Sequence, residues 1–382
     1  MQNVVLLGLV SFFTDISTEM IYPILPLYLS SVMGASSTII GIIEGIAESL
    51  ASIVKLFSGM AADKYGKKKR LIFLGYSSSV ANKIIILLST TWAGVLAARI
   101  IDRFGKGIRT APRDALIAES ADKSNLGKAY GLHKGLDLLG TAVGILLAYI
   151  ILTMNENDFK KVFLYSLIPA VIGVLCIFFV KDAKKTIKKM PSFNWKTLDK
   201  RLKLFLIFIF IFTLGNSSNA FILLRTYSAG FAPREAILLY FLFNFIASLL
   251  AFPVGQLSDK IGRKNILCAG YFLYGVTYLG IGLLSGKTMF ILLFVIYGFY
   301  VALTTGIERA LIVEIVPEEQ KASALGLHAA IVGLGLLPAS VIAGLLWDFF
   351  GQSVPFIFGG ILAFITSVNV FILLSGKAKT PC

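Results

Sequence analysis

Charged residues stand inside long apolar runs of this chain, at spacings that put them on shared helix faces. Asp15 and Glu19 are four apart, as are Glu44 and Glu48, with Lys55 seven further along the same stripe. Arg99, Asp102, Arg103, Lys106, Arg109 and Arg113 make a nearly continuous charged face. Asn82, Lys83, His133, Lys134 and Asp137 complete the polar set of the first half. The second half is poorer: Asn216, Asn219, Arg225, Asn244, Glu308 and Arg309. An ionisable side chain at a bilayer centre costs about 2.5–3.5 kcal/mol or more, so such groups must face a bundle interior or a watery cavity. A carboxyl held there can load and release a proton, whereas an amide can bind a ligand but carries none. This chemistry points first to Asp15, Glu19 and Glu48.

The elements that position these groups follow from a polar pattern. Gly59, Asp63, Lys64, Gly66 and Lys67 recur about half a chain later as Gly255, Asp259, Lys260, Gly262 and Arg263. A second repeat runs at nearly the same offset: Ala115-Leu116-Ile117 with Glu119 returns as Ala310-Leu311-Ile312 with Glu314, and Gly131-Leu132-His133 as Gly326-Leu327-His328. One detail departs, since Arg113-Asp114 aligns with Glu308-Arg309 and the charges are exchanged. Repeats at half-length in an apolar chain indicate duplication. The alignment sets Asn244 against Glu48 and Asn216 against Asp15. Gly344, Asp348 and Gly351 give a weaker third echo of the loop pattern.

Both loop copies match G-x-x-x-D-[RK]-x-G-[RK]-[RK] at every specified position. In this the chain resembles the major facilitator superfamily of secondary transporters. The resemblance implies an all-α membrane protein of about 12 helices in two pseudo-symmetric six-helix bundles that rock about a central site. It places Gly59, Asp63, Lys64, Gly66, Lys67, Gly255, Asp259, Lys260, Gly262 and Arg263 at a cytoplasmic gate, with Arg109 and Arg113 as partners of the aspartates. Breaking those contacts would favour the inward-open state. The family's antiporter signature has a proline after a helix-5 glycine; here Ile145 follows Gly144.

Apolar runs fall at roughly 4–30, 38–62, 71–90, 92–115, 127–153 and 161–181, then 204–226, 233–257, 265–285, 288–314, 321–347 and 354–375, each near the ~20 residues a bilayer requires. The expected organisation is a bundle over 1–181, a basic linker over 182–203 and a bundle over 204–382. Of 382 residues 57% are apolar and 15% charged, with a mean hydropathy of +0.82. The net charge of +15 belongs to short loops. With a cytoplasmic N-terminus those loops hold most of the lysines and arginines, which puts both termini inside and the chain in the inner membrane. The linker's cations can meet anionic lipid heads. No recognition fold accompanies the basic loops, so nucleic acid is not expected. The first run reads as a retained span rather than a signal peptide.

Other chemistries find no support. Cys176, Cys268 and Cys382 have no metal-ligand spacing, and neither metal nor cofactor is expected. Gly286-Lys287-Thr288 lacks the earlier glycine of a phosphate loop, position 281 being isoleucine. No nucleophile–base arrangement is legible, so the chain reads as no enzyme. The expected function is a monomeric secondary transporter of a small organic solute, with Asp15, Glu19, Glu44, Glu48, Asp102, Arg103 and Asp137 of the first half serving proton coupling or solute contact. The second half would supply solute contacts through Asn216, Asn219, Asn244, Glu308 and Arg309. Export is favoured slightly over uptake; a passive facilitator or a proton-coupled importer of a metal chelate or metabolite is the alternative. The acids favour a cationic or zwitterionic solute and the arginines an anion. Simpler roles compete: helix-4 cations pairing with the Asp63 loop, a structural Glu44–Lys55 pair, and local hydrogen bonds at both histidines.

Overall fold

A computed structural model describes residues 2–65, 68–120, 126–155, 158–182, 199–316 and 321–375, with the side chains of all of these except 56, 59–65, 126–128, 131 and 321–323. Among them fifteen helices form: α1 (Gln2–Ile21), α2 (Leu25–Ser31), α3 (Ser37–Tyr65), α4 (Lys68–Leu88), α5 (Trp92–Glu119), α6 (Leu126–Met154), α7 (Phe159–Ile177), α8 (Lys200–Gly215), α9 (Asn219–Ser228), α10 (Pro233–Ile261), α11 (Arg263–Leu283), α12 (Lys287–Thr304), α13 (Ile307–Ile315), α14 (Lys321–Phe350) and α15 (Val354–Ser375). Eleven stretches among the described residues are long and apolar enough to cross a membrane. α5 is equally long and carries the charged face, so composition alone passes over it; it completes the expected twelve. Side chains such as Phe179, Phe252 and Leu249 project outward, as lipid-facing residues do.

Three spans are each built from two helices, for local reasons. Pro23 and Pro26 interrupt the first at Tyr22–Ile24, because proline lacks the N–H a continuing helix needs. The second break follows Gly215, where the Ser218 hydroxyl caps α9 by accepting from Ala220 N–H at 3.3 Å. The third lies between α12 and α13, where Gly306 adopts φ +99°, a conformation other residues rarely take.

Contacts gather into two units: residues 1–36, 46–190 and 231–241, and residues 37–45, 191–230 and 242–382. Each packs by the same scheme. In the first, α1 meets α6 and α7, and α4 meets α5 and α7; in the second, α8 meets α14 and α15, and α11 meets α12 and α15. The duplicated sequence thus gives a duplicated packing. Lipid tails are as apolar as leucine, so close backbone approach has to hold such helices together. A Cβ at Gly140 would stand 2.5 Å from the Phe12 carbonyl oxygen, and one at Gly144 2.5 Å from that of Ile16, so α6 lies directly against α1. Ser17 Oγ donates to the Ser166 carbonyl at 2.5 Å, and Tyr274 to that of Gly215 at 2.9 Å.

Candidate functional site

The first unit encloses a polar cavity of about 140 Å³. Asp15, Thr18, Glu19 and Tyr22 line it from α1 and its break, Glu48 from α3, and Asp102, Arg103, Lys106 and Arg109 from α5. Tyr240 closes it, from the α10 segment that counts with this unit. Four carboxyl groups therefore share one space with three cations. Arg103, 3% exposed, pairs with Glu48 at 3.1 Å and stands 3.9 Å from Asp102. Arg99 and Arg103 lie 5.7 and 6.0 Å from the Tyr22 ring centre. Glu19 instead meets a neutral partner, the Tyr240 hydroxyl, at 3.4 Å. On α6, Asp137 holds Lys134 at 2.6 Å.

Beside the cavity a single hydroxyl joins four helices. Ser11 Oγ on α1 lies 3.0 Å from the Tyr76 hydroxyl on α4 and 3.0 Å from His133 Nε2 on α6, and it accepts from Arg113 on α5 at 3.3 Å. Arg113 also pairs with Asp114 at 2.9 Å. Lys83, fully buried on α4, donates to both oxygens of Ser79.

The second unit has its own cavity, of about 230 Å³. Ile209, Phe212, Thr213 and Asn216 line it at the spacing that Asp15, Thr18, Glu19 and Tyr22 have in the first. Tyr22 and Asn216 each sit at a helix break, so Asn216 is the counterpart of Tyr22. The register with Asp15 expected from the sequence is corrected, no motif in these two spans having been present to fix it. Where the first cavity has Asp15 and Glu19, the second has Ile209 and Thr213. Its charges come from α13: Glu308 receives Tyr271 at 2.8 Å and meets His328 Nε2 at 3.0 Å, and Arg309 also lines the space. Asn216 donates to Tyr300 at 3.3 Å.

Other residues singled out by sequence lie elsewhere. Glu44 is buried on the part of α3 that counts with the second unit and lines neither cavity. Asn219 accepts from Tyr297 at 2.9 Å, and Asn244 is half-buried on α10; neither lines a cavity. Tyr22, Tyr240, Tyr271 and Tyr300 were not anticipated. Tyrosine in an apolar run carries no charge signal, and only the proline beside Tyr22 marks its place.

The loop motif explains itself best in its second copy. Gly262 has φ +93° and turns the chain between α10 and α11. Asp259 pairs with Arg263 at 3.0 Å, and Arg263 with Glu314 at 3.1 Å; Lys260 is exposed. In the first copy Lys68 pairs with Glu119. The two repeats found separately in the sequence are thus pairing partners. The side chains of Asp63, Lys64 and Lys67, and residues Gly66 and Lys67 altogether, lie outside the described set, as does the side-chain environment of Gly59. The pairing expected between helix-4 cations and Asp63 falls on a side chain outside the described residues; among the described ones Arg109 donates to the Gly75 carbonyl at 3.0 Å and lies 4.2 Å from the Tyr76 ring centre, because the close α4–α5 approach puts that carbonyl and ring within its reach. Gly255, half-buried, sits one turn before Asp259.

The sequence profile of the Major Facilitator Superfamily matches residues 7–229 and 204–381. An uncharacterized MFS-type transporter of Methanocaldococcus jannaschii, MJ1317, is 38% identical over 96% of this chain and 94% of its own. The multi-drug resistance efflux pump PmrA of Streptococcus pneumoniae is 24% identical over 70% of each chain. Among solved structures, the nucleoside transporter NupG superposes with a TM-score of 0.79 at 13% identity, covering 99% of this chain and 100% of its own. Eleven described stretches fit to cross a membrane, a duplicated packing, a polar cavity in each unit and these matches agree: the chain belongs to the Major Facilitator Superfamily and is an integral membrane transporter of small molecules, not an enzyme.

Proposed function

We propose that the protein is a proton-coupled transporter of a small organic solute working by alternating access, with protons carried in the first unit and solute contacts supplied by the second. The asymmetry of the cavities supports this most: Asp15 and Glu19 stand where the other unit has Ile209 and Thr213. Glu19, which accepts from the Tyr240 phenol, and Asp15, on the same cavity wall, are the groups that change protonation. Glu48 and Asp102, engaged by Arg103, keep their charge and shape the space. Asn216, Glu308 and Arg309 meet the solute, while Glu44, Asn219 and Asn244 support the walls.

The same reading places the chain as a monomer in the cytoplasmic membrane with both termini inside. The gate comprises Gly59, Asp63, Lys64, Gly66, Lys67, Arg109 and Arg113 with Gly255, Asp259, Lys260, Gly262 and Arg263. Likeness to PmrA favours export. The test is proton flux in liposomes carrying an internal pH dye, with organic cations, organic anions, sugars and metal chelates, comparing wild type with Glu19→Gln. A compound that moves protons in wild type and only equilibrates in the variant supports coupling. A compound that equilibrates identically in both, without proton movement, makes the protein a facilitator.

A further inference from the structure

α3 is shared between the units, its first nine residues, Ser37–Gly45, counting with the second and the rest with the first. Those nine residues are held from α14. Asp348 accepts from Ser37 N–H at 3.1 Å with one carboxylate oxygen and from Thr38 N–H at 2.8 Å with the other. Both are first-turn N–H groups without a partner inside their own helix, at the end where the helix dipole favours an anion. The backbones then run in contact. A Cβ on Gly344 would lie 2.6 Å from the Ser37 carbonyl oxygen and the Thr38 Cα, one on Gly41 2.2 Å from the Ser340 carbonyl oxygen, and one on Gly45 3.0 Å from the Leu337 Cα.

The aspartate belongs to the third echo of the loop motif. Gly344 precedes Asp348 by four residues, as Gly255 precedes Asp259, and Gly351 follows by three, as Gly262 does. The two following glycines share a backbone, φ +98° and +93°. α3 ends at Tyr65, inside the first loop copy. At ~1.5 Å per residue its 29 residues span about 44 Å, the full depth of a bilayer with its headgroups. One helix therefore reaches from a loop copy on one membrane face to the echo's aspartate on the other.

We infer that Asp348 is a latch on the membrane face opposite the two loop copies: it fastens the N-terminus of α3 to α14, and its release is a step in opening the transporter on that face. This rests on the alternating access proposed above, since rocking must either bend α3 or lift its first turns from α14. Gly41, Gly45 and Gly344 give the seat, and the two charge-assisted hydrogen bonds hold it shut.

The experiment needs neither solute nor proton gradient. In a background with Cys176, Cys268 and Cys382 replaced, Ser340→Cys puts a thiol at a position 1% exposed, under Gly41. A charged, membrane-impermeant thiol reagent reads how often α3 lifts. Losing an N-cap of this kind shifts such an equilibrium roughly 2- to 30-fold, so Asp348→Ala should raise the labelling rate by that factor. Should that variant not fold, Asp348→Asn keeps the shape, loses the charge and one acceptor, and should give a smaller rise, about twofold. An unchanged rate in folded protein, or no labelling in any variant, overturns the latch. Either result leaves the proton-coupling reading standing, and a failure of coupling in the liposome assay leaves the labelling outcome intact.

Discussion

The Arg103–Glu48 pair allows a prediction with a worked magnitude. At 3.1 Å and an effective dielectric constant of ~20, two unit charges attract by about 5 kcal/mol. The Glu48 side chain is 31% exposed to the cavity and Arg103 only 4%, so water screens one end and the usable coupling falls to roughly 2–3 kcal/mol. Arg103→Met strands Glu48 and also removes the cation nearest Asp102, and should cost about 3 kcal/mol. Glu48→Gln removes one carboxylate from Arg103, keeps Asp102 beside it and should cost about 1–2 kcal/mol. The double variant Arg103→Met/Glu48→Met should be more stable than the sum of the single losses implies, by about 2 kcal/mol. Reversible unfolding in mixed micelles of rising denaturing detergent, followed by tryptophan fluorescence, gives each free energy. Losses additive to within about 0.5 kcal/mol would refute the pairing, and with it the division between charges that hold the cavity and carboxyls that exchange protons.

Three further outcomes follow. Asp15→Asn should abolish solute-driven proton movement while leaving solute exchange within about twofold; proton movement unchanged from wild type would remove Asp15 from the path. Gly140→Ala presses a methyl on the Phe12 carbonyl and should cost about 1–3 kcal/mol in the same unfolding assay, against less than 1 for Gly135→Ala, whose Cβ would meet nothing within 4 Å. Asp63→Asn should slow transport of the compound found in the liposome screen by tenfold or more with affinity little changed; intact turnover with weakened binding would count against a gate.

The fold was legible wherever sequence carries a pattern. Half-length repeats around Asp63 and Asp259 and around Glu119 and Glu314 announced the duplication, and apolar runs located the spans. α5 was read correctly because its charges keep helical spacing, although they hide it from a hydropathy criterion. The cavity's acids were visible as charges where lipid should be. Partner choice was not, because pairing depends on which helix faces meet. Glu44 and Glu48 share a stripe, yet only Glu48 reaches the first cavity. Asn216 was set against Asp15, and the break at Tyr22 shows the proper register. The tyrosines of the second unit, with Tyr274 and Tyr278 stacked at 4.0 Å, left no trace in the charge pattern that guided the reading.

The junction at Ser11 obeys a count of hydrogens. A serine hydroxyl has one hydrogen to give and two lone pairs to receive with. Arg113 always gives, so one lone pair is always taken. When Nε2 of His133 is bare, Ser11 gives to it, and its second lone pair receives from Tyr76. When His133 carries a second proton, Nε2 must give as well, and Ser11 has to turn its hydrogen toward Tyr76, whose own hydrogen is then released to seek another acceptor. A hydrogen on Nε2 of His133 would thereby reverse the polarity of the bond between Ser11 on α1 and Tyr76 on α4, with no helix displaced.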